Sequence, residues 1–188
     1  MSLVELIAQA DERALAAGGL ACFERCLPLL DGDDELLRPL WGHLADGSDW
    51  AVSLDKVRAA LGPAPAGDEP ALLARRMLDT APAERTADTL RPWADACSVA
   101  SLRIHRLLDP AADGSAGPAG PDAGRRGDTA DLPPLVAAEL RRQTTVLEIL
   151  GDHGRQALRR ALEISVEGRR VLRAVVSRRA RSEADAGA

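Results

Sequence analysis

Leu3, Leu6, Ile7, Ala10, Ala14 and Leu15 recur at the three-and-four spacing of one helical face. The run predicts a first helix that stops at Gly18-Gly19. A second helix is expected from about Leu20 to Leu30. It has Phe23, Cys26, Leu27 and Leu30 on one side, and Glu24, Arg25 and Pro28 on the other. Pro28 fits only where a helix bends or ends. Asp33 or Asp34 stands where a third helix, through Trp41 and Leu44, needs a cap, and Ser48 where a fourth does, over residues 49–61. Gly62-Pro63-Ala64-Pro65-Ala66-Gly67 is a break. Asp68, Glu69 and Pro70 then start a helix that runs to about Leu78. Thr80 opens another stretch, disturbed at Pro92. Beyond it Trp93, Ala96, Cys97, Ala100, Ile104, Leu107 and Leu108 share one arc.

Residues 109–131 are proline, glycine, alanine, aspartate and two arginines with hardly an apolar side chain of size. Such a stretch cannot bury enough surface to offset its ordering entropy, and it reads as a disordered connection. Asp131 is placed to cap a helix whose first turn carries Pro133 and Pro134. A helical pattern continues to about Arg181, which unbroken would span roughly 75 Å. A break is therefore expected at Gly151-Asp152-His153-Gly154, with Asp152 as the new cap. The pattern predicts an all-α chain forming a single multi-helix orthogonal or bundle-like domain. Residues 1–108 and 132–181 pack together, with 109–131 as linker and 182–188 as a disordered tail.

Composition agrees with helices. Apolar residues make up 46% of the 188, much of it alanine, while Trp41, Trp50, Trp93 and Phe23 are the only aromatics. So few β-branched and aromatic side chains argue against sheets. The net charge of −5 is unevenly spread: residues 1–61 hold eleven acids and five bases, whereas residues 155–188 hold nine arginines and four acids. Either the basic last helix lies on the acidic N-terminal helices, or it faces an acidic partner or nucleic acid. Glu5, Asp11 and Glu12 interrupt what a secretory signal would need to be apolar, and no apolar run reaches membrane-spanning length. Three cysteines suggest no disulfide framework. A cytoplasmic protein is expected.

Four segments carry a resemblance. Ala21-Cys22-Phe23-Glu24-Arg25-Cys26-Leu27-Pro28 comes first, then Leu40-Trp41, then Ala94-Asp95-Ala96-Cys97 with Ser101-Leu102 and His105, then the long C-terminal helical pattern. In order and spacing, from about Leu3 to Arg173, they resemble the YjaG-like bacterial proteins, a family of unknown function. The resemblance implies an all-helical intracellular fold of about this length, without implying a reaction. The Pro/Gly stretch departs from the ordered segment that relatives carry there.

Cys22 and Cys26 lie one turn apart, and with Cys97 and His105 they make up a zinc-compatible set. All three cysteines nevertheless fall on apolar arcs, where cysteine serves as a small apolar filler. His105 lies eight residues after Cys97 but well round the helix from it, a marginal base for a thiol nucleophile. His43 and His153 read as helix-end surface residues. The acidic run Asp31–Glu35 reads as capping rather than a calcium loop, which needs a longer spaced motif. No Glu-x-x-His pair, phosphate loop, Gly-x-Ser-x-Gly elbow or dinucleotide fingerprint occurs. No catalytic residue, metal site or cofactor is therefore expected.

The candidates for a ligand or partner site are Glu24, Arg25, Asp95, His105 and Arg169. Each has two readings, as an internal salt bridge or as the lining of a site between helices. Arg169 falls inside the apolar arc of the last helix, so it needs a carboxylate such as Asp95 or Glu24. Alternatively the helix protrudes there and meets another subunit. The leading expectation is a non-enzymatic protein-interaction or regulatory module, with a possible homodimer. The alternatives are a small-ligand binder or enzyme with an inter-helix polar site, and a nucleic-acid-associated regulator using the arginine-rich last helix.

Overall fold

Helix α2 (Glu12–Cys26) is the axis around which the rest assembles. Asp11 caps it by accepting from the Ala14 amide at 2.7 Å. From Ala14 to Cys26 every side chain except Gly18 is buried, charged ones included. A helix surrounded on all sides must be so. The computed structural model describes residues 1–110, 121–151 and 155–186. Their regular structure is all helical, with no strand among them.

Before α2 stands α1 (Leu3–Gln9), held by a Ser2–Glu5 capping box. The chain turns at Ala10, whose backbone is extended. It does not turn at Gly18-Gly19, as the pattern suggested. Those glycines are notches: a Cβ on Gly19 would stand 2.4 Å from the Trp93 ring, and one on Gly18 would stand 3.1 Å from Leu147. A 3-10 turn (Leu27–Leu30) follows α2 directly, with Pro28 in its first turn, so the expected second helix is the end of α2 plus this turn.

Next come α3 (Arg38–Asp46), α4 (Ala51–Ala60) and α5 (Glu69–Asp79). Neither Asp33 nor Asp34 caps α3; the cap residue is Leu37, without a side-chain bond. Ser48 does not cap α4 either, and Asp49 accepts from the Ala51 amide at 2.9 Å instead. Asp68 does cap α5, accepting from Ala71 at 3.1 Å. Thr80 closes α5 rather than opening the next helix. Thr86 caps α6 (Ala87–Leu108) in a capping box with Thr89. Pro92 lies within α6, where the only bond it forfeits is to the carbonyl of exposed Asp88, within reach of water.

The expected disordered linker is corrected in part. Residues 121–125 form a short helix, α7 (Pro121–Arg125), and Arg125 is buried. Residues 111–120 lie outside the described residues. Asp131 adopts a left-handed φ of 62° and caps nothing. Helix α8 (Pro134–Gly151) is capped from a distance by Asp109, whose Oδ2 accepts from the Leu135 amide at 2.7 Å. Helix α9 (Arg155–Ala186) follows; of the break expected over 151–154, Gly151 is the last residue of α8, and residues 152–154, with the proposed Asp152 cap, lie outside the described residues. The tail expected to be disordered is helical to Ala186.

Helices α6, α8 and α9 pack on three sides of α2, and α5 and α3 add smaller contacts. Each indole is satisfied: Trp50 Nε1 donates to Pro82 O at 3.0 Å, Trp93 Nε1 to Met77 O at 2.9 Å and Trp41 Nε1 to Glu24 at 3.2 Å. Trp50 meets Trp93 edge-on with centroids 5.8 Å apart. No described helix is long and apolar enough to cross a membrane.

Candidate functional site

Arg25 and Glu139 meet where α2, α6, α8 and α9 converge. Both are fully buried. Arg25 Nε donates to Glu139 Oε2 at 2.8 Å, and its terminal nitrogen donates to Oε1 at 2.7 Å. This side-on pairing matches the guanidinium fork to the carboxylate. Ser101 Oγ at 2.7 Å and Gln143 Nε2 at 2.8 Å donate to the same Oε1. Gln143 in turn accepts from Ser98 Oγ at 2.6 Å. The other terminal nitrogen of Arg25 reaches Ser165 Oγ on α9 at 3.5 Å.

Helical spacing explains how these side chains meet. Ser98, Ser101 and His105 are three and four apart on one face of α6, and Glu139 and Gln143 are one turn apart on α8. Gly168 removes the side chain that would block α9. A Cβ there would stand 2.4 Å from Arg25 Cδ and 2.9 Å from Cγ.

Burial pushes the Glu139 carboxyl up, but the Arg25 guanidinium, His105 and the donated hydrogen bonds outweigh it and hold it at about 2. Burial disfavours the charge on Arg25 as well, and Glu139 more than restores it. His105 donates from Nδ1 to the Ser101 carbonyl at 2.8 Å, and its Nε2 stands 3.6 Å from Glu139 Oε2. Burial lowers its pKa against the opposing pull of Glu139. These shifts favour one ionised pair beside a neutral imidazole.

Glu24 is next to Arg25 in sequence but faces another way. It pairs with Arg169 of α9 and accepts from Trp41 Nε1. Arg169 also donates to the Asp34 carbonyl at 3.1 Å, and Arg173, one turn on, binds the Asp34 carboxylate. Burial raises the Glu24 pKa, with Arg169 and Trp41 opposing. The Asp34 carboxyl is held low by its hydrogen bond from Arg173. Asp95 is elsewhere again, bound to Arg125 of α7.

The five candidates therefore do not form one site. Arg25 and His105 share the central cluster, Glu24 and Arg169 share a second, and Asp95 stands in a third. The wheel placed Glu24 and Arg25 on a polar face; both are instead buried inside the fold. Of the two partners weighed for Arg169, Glu24 is the one it meets. The hollow beside Arg25, Cys22, Ser98 and Gln143 measures about 10 Å³, room for about one water. A drug-sized ligand needs some 300 Å³ or more.

The cysteines lie in the same core without chemistry of their own. Burial pushes the Cys22 thiol up to about 12, and Cys26 and Cys97 rise for the same reason. Thiolates, the form that attacks or binds metal, are disfavoured at all three. Among the described residues no group of three or more His, Cys, Asp or Glu side chains is placed to hold a metal ion.

Sequence reasoning missed Glu139, Ser101, Gln143 and Arg125. The spacing of Ser98, Ser101 and His105 was a legible signal, a polar line on a helix otherwise read by its apolar arc. Comparisons of the chain with protein-family models, with curated proteins and with solved structures find no match.

Proposed function

We propose that this chain works through protein contacts, with its buried polar residues serving as braces and the far end of α9 as the contact element. The observation that carries this is the burial profile of α9. Leu172 is its last buried residue, and from Ser177 onward every described side chain is exposed. A helix that runs on past its own core, presenting Arg178, Arg179 and Arg181, keeps its form for a purpose outside the fold. The braces tie α9 to α2 at two levels, through Arg25–Ser165 and Glu24–Arg169, so the projecting end has a fixed direction.

A second copy of the chain is the partner we place first, giving a homodimer. Light scattering across a wide concentration range tests it. A dimer that weakens when Arg178, Arg179 and Arg181 are all changed to Glu is the expected result, and a strict monomer at every concentration contradicts it. The same exposed arginines also favour a second reading, nucleic-acid contact. It requires DNA retention that falls steeply with salt, and no retention at low salt eliminates it. A bacterial, cytoplasmic setting and kinship with the YjaG-like family belong to the same proposal. They rest on the segments around Glu24-Arg25, Trp41 and Asp95.

A further inference from the structure

Outside the core, one surface cluster has the order of a nucleophile, a base and an acid. His43 and Asp46 lie in the last turn of α3, Ser48 in the connection that follows, and Ser53 in the first turn of α4. His43 Nε2 stands 2.9 Å from Ser53 Oγ, and His43 Nδ1 stands 2.6 Å from Ser48 Oγ. Ser48 Oγ in turn stands 2.5 Å from Asp46 Oδ1, which also accepts from the Ser48 amide at 2.8 Å.

The carboxylate fixes the direction of this chain. The hydrogen bonds from Ser48 hold the Asp46 carboxyl below its usual range, so at neutral pH it only accepts. The Ser48 hydroxyl must then donate to Asp46 and accept from His43 Nδ1–H. That leaves the Nε2 lone pair facing Ser53, whose hydroxyl donates to it. The tautomer is the one a general base needs. A hydroxyl stands between base and acid where hydrolases of this type join them directly.

The surroundings supply two further requirements. The first intrahelical bond of α4 runs from Leu54 N to Trp50 O. The amides of Ala51, Val52 and Ser53 therefore have no partner inside the helix. Asp49 takes the first, which leaves the Val52 and Ser53 amides at the start of α4, on the residue that carries Oγ and the one before it. Arg85 holds the connection in shape, donating to the carbonyls of His43, Gly47 and Ser48 at 3.2, 3.0 and 2.6 Å. Gly47, at φ 76°, makes the left-handed turn that brings Ser48 back to the ring.

We infer that Ser53 is an acylable serine, activated by His43, and that the chain hydrolyses small carboxylic esters there. Ser53 Oγ bonds to the ester carbonyl carbon as its proton passes to His43 Nε2. The oxyanion is held by the Val52 and Ser53 amides. Its collapse breaks the bond to the alkoxide, which leaves with the proton from His43. Water then attacks the acyl-serine, gives its proton through His43 back to Ser53 Oγ, and releases the carboxylic acid. Asp46 stays ionised throughout. Because the relay is in contact with water, the stabilisation of the oxyanion is small, which favours activated esters with a good leaving group. The inference is independent of the interaction reading, since acylation is read on monomer or dimer alike.

The experiment treats the whole chain with a fluorophosphonate probe and with p-nitrophenyl acetate, then maps the adduct by peptide mass spectrometry. An adduct on Ser53 is expected. It should be absent in Ser53→Ala and slowed roughly 100-fold or more in His43→Gln, with circular dichroism unchanged. Ser48→Ala tests the positioning role: it should slow acylation, and Ser48→Thr, which keeps the hydroxyl, should restore it, which a purely structural loss would not do. An unlabelled Ser53, a probe adduct on another residue instead, or ester hydrolysis undiminished in Ser53→Ala each overturns the inference. The mapping of the unaltered protein decides even if a variant misfolds.

Discussion

Replacing Glu139 with Leu while leaving Arg25 in place strands a fully buried guanidinium. Among the described residues Arg25 then keeps only Ser165 Oγ at 3.5 Å and the Cys22 sulfur at 3.4 Å. A guanidinium cannot escape by giving up its proton. Breaking a buried pair this way costs about 3–5 kcal/mol. A domain of this size has only about 5–15 kcal/mol in hand, so Tm should fall by roughly 6–20 °C. The converse variant, Arg25→Met, strands a carboxylate that still has Ser101 and Gln143 as donors and can take up a proton. Its cost should therefore be smaller in mild acid than at neutral pH, while that of Glu139→Leu falls only below about 4.5, where the unaltered protein itself loses the contribution of this carboxylate. The double variant removes both charges and should recover part of the loss, with a coupling of about 1–3 kcal/mol. Urea unfolding followed by far-ultraviolet circular dichroism measures all three. Single variants each costing under about 1 kcal/mol, with no coupling between them, would refute the reasoning, because exposed pairs behave that way.

Three further outcomes follow from the same structure. Gly168→Ala should destabilise by about 1–3 kcal/mol because its Cβ would collide with Arg25 Cδ and Cγ, whereas Gly42→Ala, with nothing within 4 Å, should stabilise by about 0.5–1 kcal/mol. Both are read from urea midpoints. Asp109→Ala should cost about 1 kcal/mol and leave the Leu135 amide faster in hydrogen exchange, since it removes the cap of α8. On acidification, His105 binds its proton more readily in the unfolded chain, so stability should fall below its ordinary value of 6.5. Glu139 adds a second loss of about 3 kcal/mol as pH drops from its ordinary 4.5 towards about 2. Glu24, with its pKa raised, works in the opposite sense, and His105→Gln should abolish the first loss while sparing the second.

The helices were legible because their apolar spacing, and caps such as Asp68 with Pro70, are local signals. What sequence reading misjudged was the number of neighbours each segment has. Glu24 and Arg25 were placed on a polar face because charge on a lone helix points to water. Helix α2 has neighbours all round, so its charges found partners more than a hundred residues away. Gly18-Gly19 read as a stop for the same reason: the tryptophan that needs the gap, Trp93, belongs to a distant helix. Asp109 takes the place expected of Asp131 because a cap can be supplied across space as well as along the chain. Arg125 sits in a stretch too poor in apolar residues to look ordered, and it is anchored by the charge of Asp95. The pairing of Glu24 with Arg169 was foreseen as one option, since an arginine inside an apolar arc must find a carboxylate.

The central claim is that Arg25 is an internal brace locked to Glu139. Solvent exchange of its Nε–H proton, followed by NMR, tests this most directly. The account predicts a distinct Arg25 Nε–H resonance whose exchange is slower by orders of magnitude than that of Arg159, whose side chain is 83% exposed. An Arg25 proton exchanging as fast as that of Arg159 would contradict it.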